Sequence, residues 1–166
     1  INGVSLIDRQ IKILKTLGLD DFLFIGGYRA DKLKREGVKL KINSRYFETN
    51  MVWTLFCAED YLNEEVVVSY GDIVYSPDIL RSLILTKHDI SVTIDMYWED
   101  YWRERNENPL DDAETLKIRK DGSIEEIGQK PISLEEIQGQ YMGLMKFTSK
   151  GLNLLRDSYS KYKKNG

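Results

Sequence analysis

The sequence predicts an α/β fold in which neighbouring strands run parallel, and three observations carry that expectation. Helix and strand patterns alternate from the start of the chain to about Tyr97. The runs "FLFIGGY" (22–28) and "EVVVSY" (65–70) hold continuous apolar stretches, as strands covered on both faces do. Helix starts are marked by capping residues where one pattern gives way to the next.

The elements follow in order. In "SLIDRQIKILKTLG", Ser5 is placed as an N-cap and Asp8 stands three residues on, an acidic form of the capping box. Leu6, Ile7, Ile11, Leu14 and Leu17 keep near-helical spacing, and Gly18 supplies the stop. "FLFIGGY" is the first strand, "ADKLKREG" a helical connector or loop, and "VKLKIN" an alternating strand. "TNMVWTLFCAEDYLN" is predicted helical, with Thr49 or Asn50 as its cap. After "EVVVSY", the segment "SPDILRSLILTK" opens with Ser, Pro and Asp, a strong helix start. "DISVTIDMYW" is another strand. The stretch "WEDYWRERNENPLDDAE" is polar, aromatic and predicted irregular. "TLKIRKDGSIEEIG" carries Asp-Gly in the manner of a hairpin, "QYMGLMKFT" is a strand, and "SKGLNLLRDSYSKYKK" closes as an amphipathic helix. Without repeats, low-complexity segments or linkers, residues 1–166 are expected to form a single domain.

Composition narrows the function. The chain is 42% hydrophobic and 31% charged, with a net charge of −3, which gives no reason to expect nucleic acid or an anionic membrane as partner. One cysteine, Cys57, and one histidine, His88, leave neither an internal disulfide nor a Cys- or His-rich metal site. No apolar stretch approaches a membrane span and no secretory signal opens the chain, so a bacterial-type cytoplasm is expected.

Candidate site residues fall at the carboxyl ends of strands, where open α/β sheets collect ligands. They are Gly26, Gly27 and Tyr28, then Thr49, Asn50 and Met51, then Gly71 and Asp72. Each has a plain alternative, because glycines make turns, Thr and Asn cap helices, and Asp sits in turns. Their coincidence at one sheet edge argues for a site. A lone carboxylate can serve magnesium, which uses one or two carboxylates, several waters and substrate phosphates. Lys130, in "IGQKP", is either a solvated lysine or a positive charge beside a phosphate. Tyr97, Trp98, Tyr101 and Trp102 are either a core edge or an aromatic wall for a cationic ligand. Glu114 stands where the irregular stretch hands over to the hairpin.

Taken in order, "LIDRQIKILKTLGLDDFLFIGGYRADKL", "NSRYFETNMVWTL", "VVVSYGDIVY", "IGQKP" and "QYMGLMKF" resemble the bacterial nucleotidyltransferases that activate small phosphate compounds. The likeness is greatest to the choline-phosphate cytidylyltransferase-like group, relatives of the sugar-1-phosphate nucleotidylyltransferases, and it spans nearly the whole chain. The resemblance implies a Rossmann-like three-layer fold with a mixed, mostly parallel sheet. It implies that Asp72 holds Mg²⁺ on the nucleotide phosphates, that Gly27, Tyr28, Thr49 and Asn50 surround base and ribose, and that Gly71 also binds the nucleotide. It further implies that Lys130 contacts the acceptor's phosphate, with Gln129 where many sugar enzymes have Glu. Gly143 would line the acceptor site, and Asp95, Trp98 and Glu114 fall in the acceptor-facing region. The family's glycine-rich loop has no match after Ile1, and its second metal carboxylate has none before Gly166. The chain is therefore expected to be the middle of a longer enzyme, inactive by itself.

The expected reaction is an in-line displacement in which an acceptor phosphate oxygen attacks the α-phosphorus of a nucleoside triphosphate and pyrophosphate leaves. Positioning and charge cancellation would supply the catalysis, with Asp72 and Lys130 as the catalytic residues. The aromatic run favours phosphocholine or a similar aminoalkyl phosphate with CTP, and a homodimer is compatible with this reading. A sugar-1-phosphate nucleotidylyltransferase using UTP, dTTP or CTP is the alternative reaction, and a non-catalytic nucleotide-binding or interaction module the alternative of another class. A nucleotide-sugar glycosyltransferase fits less well, because Tyr70 stands where the first Asp of an Asp-x-Asp would be.

Overall fold

Helices begin where the sequence places its caps. In the computed structural model, which describes residues 2–165, Ser5 accepts the Asp8 amide at the start of α1 (Leu6–Thr16), and its hydroxyl donates to the Asp8 carboxylate at 2.6 Å. Asn50 caps α2 (Met51–Phe56) by accepting the Trp53 amide, and Ser76 caps α3 (Pro77–Ile84) with Pro77 at the first helical position. α4 (Trp98–Arg105) lies in the stretch predicted irregular, and α5 (Ser149–Asn165) closes the chain. The strands are β1 (Leu23–Gly26), β2 (Lys39–Ile42), β3 (Val66–Ser69), β4 (Ile90–Asp95), β5 (Leu116–Ile118), β6 (Ile124–Ile127) and β7 (Gln140–Phe147).

The fold is mixed α/β, as the alternation predicts. β1 and β2 pair in parallel, with Leu23 opposite Lys39 and Gly26 opposite Ile42. β5 and β6 form the antiparallel hairpin signalled by Asp121-Gly122. The other three strands form a sheet in the order β3-β7-β4.

The chain divides into two compact units, one of residues up to 67, 74–91 and from 146 on, the other of residues 68–73 and 92–145. In the first unit, Phe22, Phe56, Leu62, Leu80, Leu83 and Leu152 are buried, and Phe56 stacks on Tyr159 with centroids 3.8 Å apart. Lys146 is buried there as well, although lysine is almost never fully buried unless paired. Its ammonium donates to the carbonyls of Ile84 (2.9 Å) and Thr86 (2.7 Å) at the end of α3, and lies 3.3 Å from the Glu65 carboxylate.

The start of α5 is tied to the loop before β4. The Lys150 ammonium, 2.7 Å away, and then the Thr148 hydroxyl, 3.0 Å away, hold the Asp89 carboxyl below its ordinary value. A carboxylate whose folded pKa is depressed contributes stability above its unfolded pKa, and that contribution is lost as pH falls through the folded value. Asp89→Asn should therefore lower Tm at neutral pH. The gap from the parent should close as pH drops below about 3.9, the ordinary Asp value. Thermal melts across pH check this, and a constant gap at all pH values would contradict it.

The second unit has its own core, in which Trp98, Ala113 and Ile137 pack with Trp102, Leu110 and Leu134. Helical spacing explains how α4 feeds it, because residues four apart share a face. Trp98 and Trp102 point inward, while Tyr97 and Tyr101 are 86% and 52% exposed.

Candidate functional site

Parallel pairing of β1 and β2 carries the loops that follow them to the same edge. In the first loop, a side chain at Gly27 would overlap the Tyr46 ring, so the glycine is what allows this close approach. Tyr28, Tyr46 and Phe47 form an exposed aromatic series, with successive centroids 6.3 and 5.5 Å apart. The second loop is organised by Asn43, a buried residue the sequence did not mark. Its amide donates to the hydroxyls of Thr49 and Thr54, both at 2.9 Å, and its carbonyl oxygen accepts the Arg45 amide at 2.9 Å. Thr49 in turn donates to the Arg45 carbonyl at 2.7 Å, so its hydroxyl is committed to the loop. Asn50 is exposed, and its side-chain oxygen caps α2.

The other candidates belong to the second unit. Gly71 and Asp72 form an exposed turn one residue past the end of β3, and Asp72 has no hydrogen-bond or ion-pair partner among the described residues. Just before them, the Tyr70 amide donates to the Gly143 carbonyl at 2.8 Å. Gly143 has φ +75°, and a Cβ there would lie 2.6–3.0 Å from the Tyr70 side chain. Gly143 thus meets the Tyr70 ring. Tyr141 stands perpendicular to that ring at 5.8 Å, and burial, then the neighbouring Tyr70, push its hydroxyl pKa up.

Lys130 is exposed, but its ammonium is not simply solvated. It donates to the carbonyl oxygens of Leu110 and Asp111, the latter at 2.8 Å. Glu114 is held by its backbone, whose carbonyl accepts from Gln140 at 2.7 Å, and its exposed carboxylate lies beside Gly128. Asp95 accepts the Tyr97 amide at 2.8 Å and so positions the start of α4. Trp98, expected to face an acceptor, is instead 4% exposed inside the core cluster, because it shares the inward face of α4 with Trp102. The aromatic surface left is Tyr101 on α4 with Tyr97 just before the helix. The Arg105 guanidinium, a neighbour the sequence did not single out, lies 5.2 Å from the Tyr101 centroid and 5.8 Å from that of Trp102. The described residues contain no cluster of three or more His, Cys, Asp or Glu side chains suited to a metal ion. A single exposed, unpaired carboxylate still fits magnesium, whose remaining ligands are waters and substrate phosphates. Asp72 meets that description.

No protein-family model matches the chain. It is 40% identical over 155 residues to the CTP:phosphoglutamine cytidylyltransferase of Campylobacter jejuni, covering 87% of this chain and 61% of that protein. It is 28% identical over 112 residues to the choline-phosphate cytidylyltransferase of Streptococcus pneumoniae, covering 61% of this chain and 49% of that protein. The inositol-1-phosphate CTP transferase structure from T. maritima superposes with a TM-score of 0.69 at 16% identity, covering 93% of this chain and 62% of that one. The chain thus spans roughly half to three fifths of the length of these relatives.

Proposed function

We propose, for a chain related by sequence and by fold to the nucleotidyltransferases, that the protein transfers CMP from CTP to a small phosphate-bearing acceptor and releases pyrophosphate. The similarity to the C. jejuni cytidylyltransferase carries this reading. An acceptor phosphate oxygen attacks the α-phosphorus of CTP, a new P–O bond forms, and the bond from the α-phosphorus to the bridging oxygen breaks.

The residues divide the work by their chemistry. Asp72 would hold Mg²⁺, which when bound offsets negative charge on the triphosphate. Lys130 has three ammonium hydrogens, and two backbone carbonyls occupy two of them. The third remains to donate to an acceptor phosphate oxygen, with the carbonyls fixing its direction. Gly27, Tyr28, Thr49, Asn50 and Gly71 are assigned to the nucleotide. In that assignment Thr49 shapes the loop through Asn43, and Tyr28 offers an exposed ring. Asp95, Glu114 and Gly143 are assigned to the acceptor region. A nucleoside triphosphate substrate speaks for the cytoplasm.

Among acceptors, phosphoglutamine is favoured over phosphocholine. The first relative's name supports this, and so does Arg105. A guanidinium already lies over the faces of Tyr101 and Trp102, where a quaternary ammonium would have to stack. An arginine suits the carboxylate of an amino acid better.

Pyrophosphate release with CTP and phosphoglutamine, phosphocholine or glucose 1-phosphate tests the reading in the whole protein. Phosphoglutamine is expected to exceed phosphocholine in kcat/KM by about tenfold, equivalent to roughly 1.4 kcal/mol of transition-state binding. Preference for glucose 1-phosphate with UTP or dTTP would move the protein to the sugar enzymes. Binding of CTP without turnover of any acceptor would favour a non-catalytic module.

A further inference from the structure

We infer that Tyr70 is a positioning residue that sets the turn bearing Asp72, and that Gly143 exists in β7 to seat it; the inference rests on the proposed role of Asp72. Glycine within a strand weakens it and marks a place where another group comes close. Gly143 lies inside β7, and the group that comes close is the Tyr70 ring. Any side chain at 143 would collide with that ring and would also be strained at φ +75°.

The contacts fix Tyr70 in two ways. Its amide donates to the Gly143 carbonyl at 2.8 Å, which anchors the backbone two residues before Asp72. Its ring is bounded by Gly143 on one side and by the perpendicular Tyr141 ring on another. Past this rung, Gly71 has open space around it and Asp72 has no partner among the described residues. Tyr70 is therefore the fixed point that precedes the carboxylate, and the direction of the carboxylate is inherited from it. A carboxylate that must meet a cation and a triphosphate together depends on placement, because an error of about an ångström is costly at such a site.

The test uses Mn²⁺ in place of Mg²⁺ and reads free Mn²⁺ by electron paramagnetic resonance in the whole protein with CTP, beside a thermal melt for each variant. Tyr70→Phe keeps the ring and is expected to retain Mn²⁺ within about twofold of the parent. Tyr70→Ala, Tyr70→Leu and Gly143→Ala disturb the seat and are expected to weaken Mn²⁺ retention about tenfold. CTP affinity measured without metal should stay near the parent's in those variants that remain folded, which a general loss of structure would not allow. Folded Tyr70→Ala and Tyr70→Leu proteins that hold Mn²⁺ like the parent would overturn the inference. Unfolding of every seat variant would also overturn it, since the seat would then serve stability alone. Asp72→Asn separates the two levels: if it retains Mn²⁺ as the parent does, the assignment of Asp72 has failed whatever the Tyr70 variants do.

Discussion

Replacing Lys146 by methionine is expected to lower Tm by roughly 6–12 °C, from a loss of about 3 kcal/mol at the 2–4 °C per kcal/mol typical of chains this long. The side chain is buried, and its ammonium is the donor for two carbonyls at the end of α3. Methionine fills most of the volume but donates nothing, so those oxygens lose their partner, and an unsatisfied buried acceptor costs about 1–3 kcal/mol. The charge also complements the negative end of the helix dipole. Glu65 contributes less. Its side chain is 53% exposed, and Glu65→Gln should cost under about 1 kcal/mol, the range of exposed ion pairs. Differential scanning calorimetry on both variants checks the ranking. Equal effects would mean that the ion pair, and not the carbonyl clamp, sustains this part of the fold.

Asp72→Asn is expected to lower kcat/KM with Mg²⁺ by about a thousandfold, equivalent to roughly 4 kcal/mol of lost transition-state stabilisation. Tm should barely move, because Asp72 is exposed and without a partner among the described residues, and surface changes of that kind stay within about 0.5 kcal/mol. The combination is diagnostic. A residue that cost activity by loosening the fold would lower both. Near-parental turnover would remove Asp72 from the site and, with it, the proposed position of the metal.

Much of the fold was legible because local chemistry and tertiary structure agree. Ser5, Asn50 and Ser76 cap the helices they announce, Asp121-Gly122 makes the hairpin, and the apolar runs from Phe22 and Val66 contain strands. α2 proved shorter than its pattern, ending at Phe56 before a tight turn over Glu59–Tyr61. α4 was missed because charged residues fill its outer face and Tyr97 makes no side-chain cap. Its start is organised by Asp95, two residues upstream of Tyr97.

The candidate site was legible only as residue types at strand ends. Nothing local distinguishes Lys130 as a solvated lysine from one tied to the Leu110 and Asp111 carbonyls, 20 and 19 residues away. Asn43, Tyr70 and Arg105 escaped for the same reason, since their partners are set by tertiary approach and not by spacing. Trp98 and Tyr97 are adjacent and similar in kind, and only the phase of α4 sends one inward and leaves the other out.

That phase has an evolutionary consequence. Around α4 the indoles of Trp98 and Trp102 that hold the unit together and the water-facing rings of Tyr101 and of Tyr97, just before the helix, lie on adjoining sides. A lineage can trade Tyr97 in one mutational step and leave the Trp98 indole in place, whereas Tyr101 and Arg105 lie against Trp102 and change with it. Descendants of one ancestral scaffold could then drift toward different small molecules while keeping the same interior.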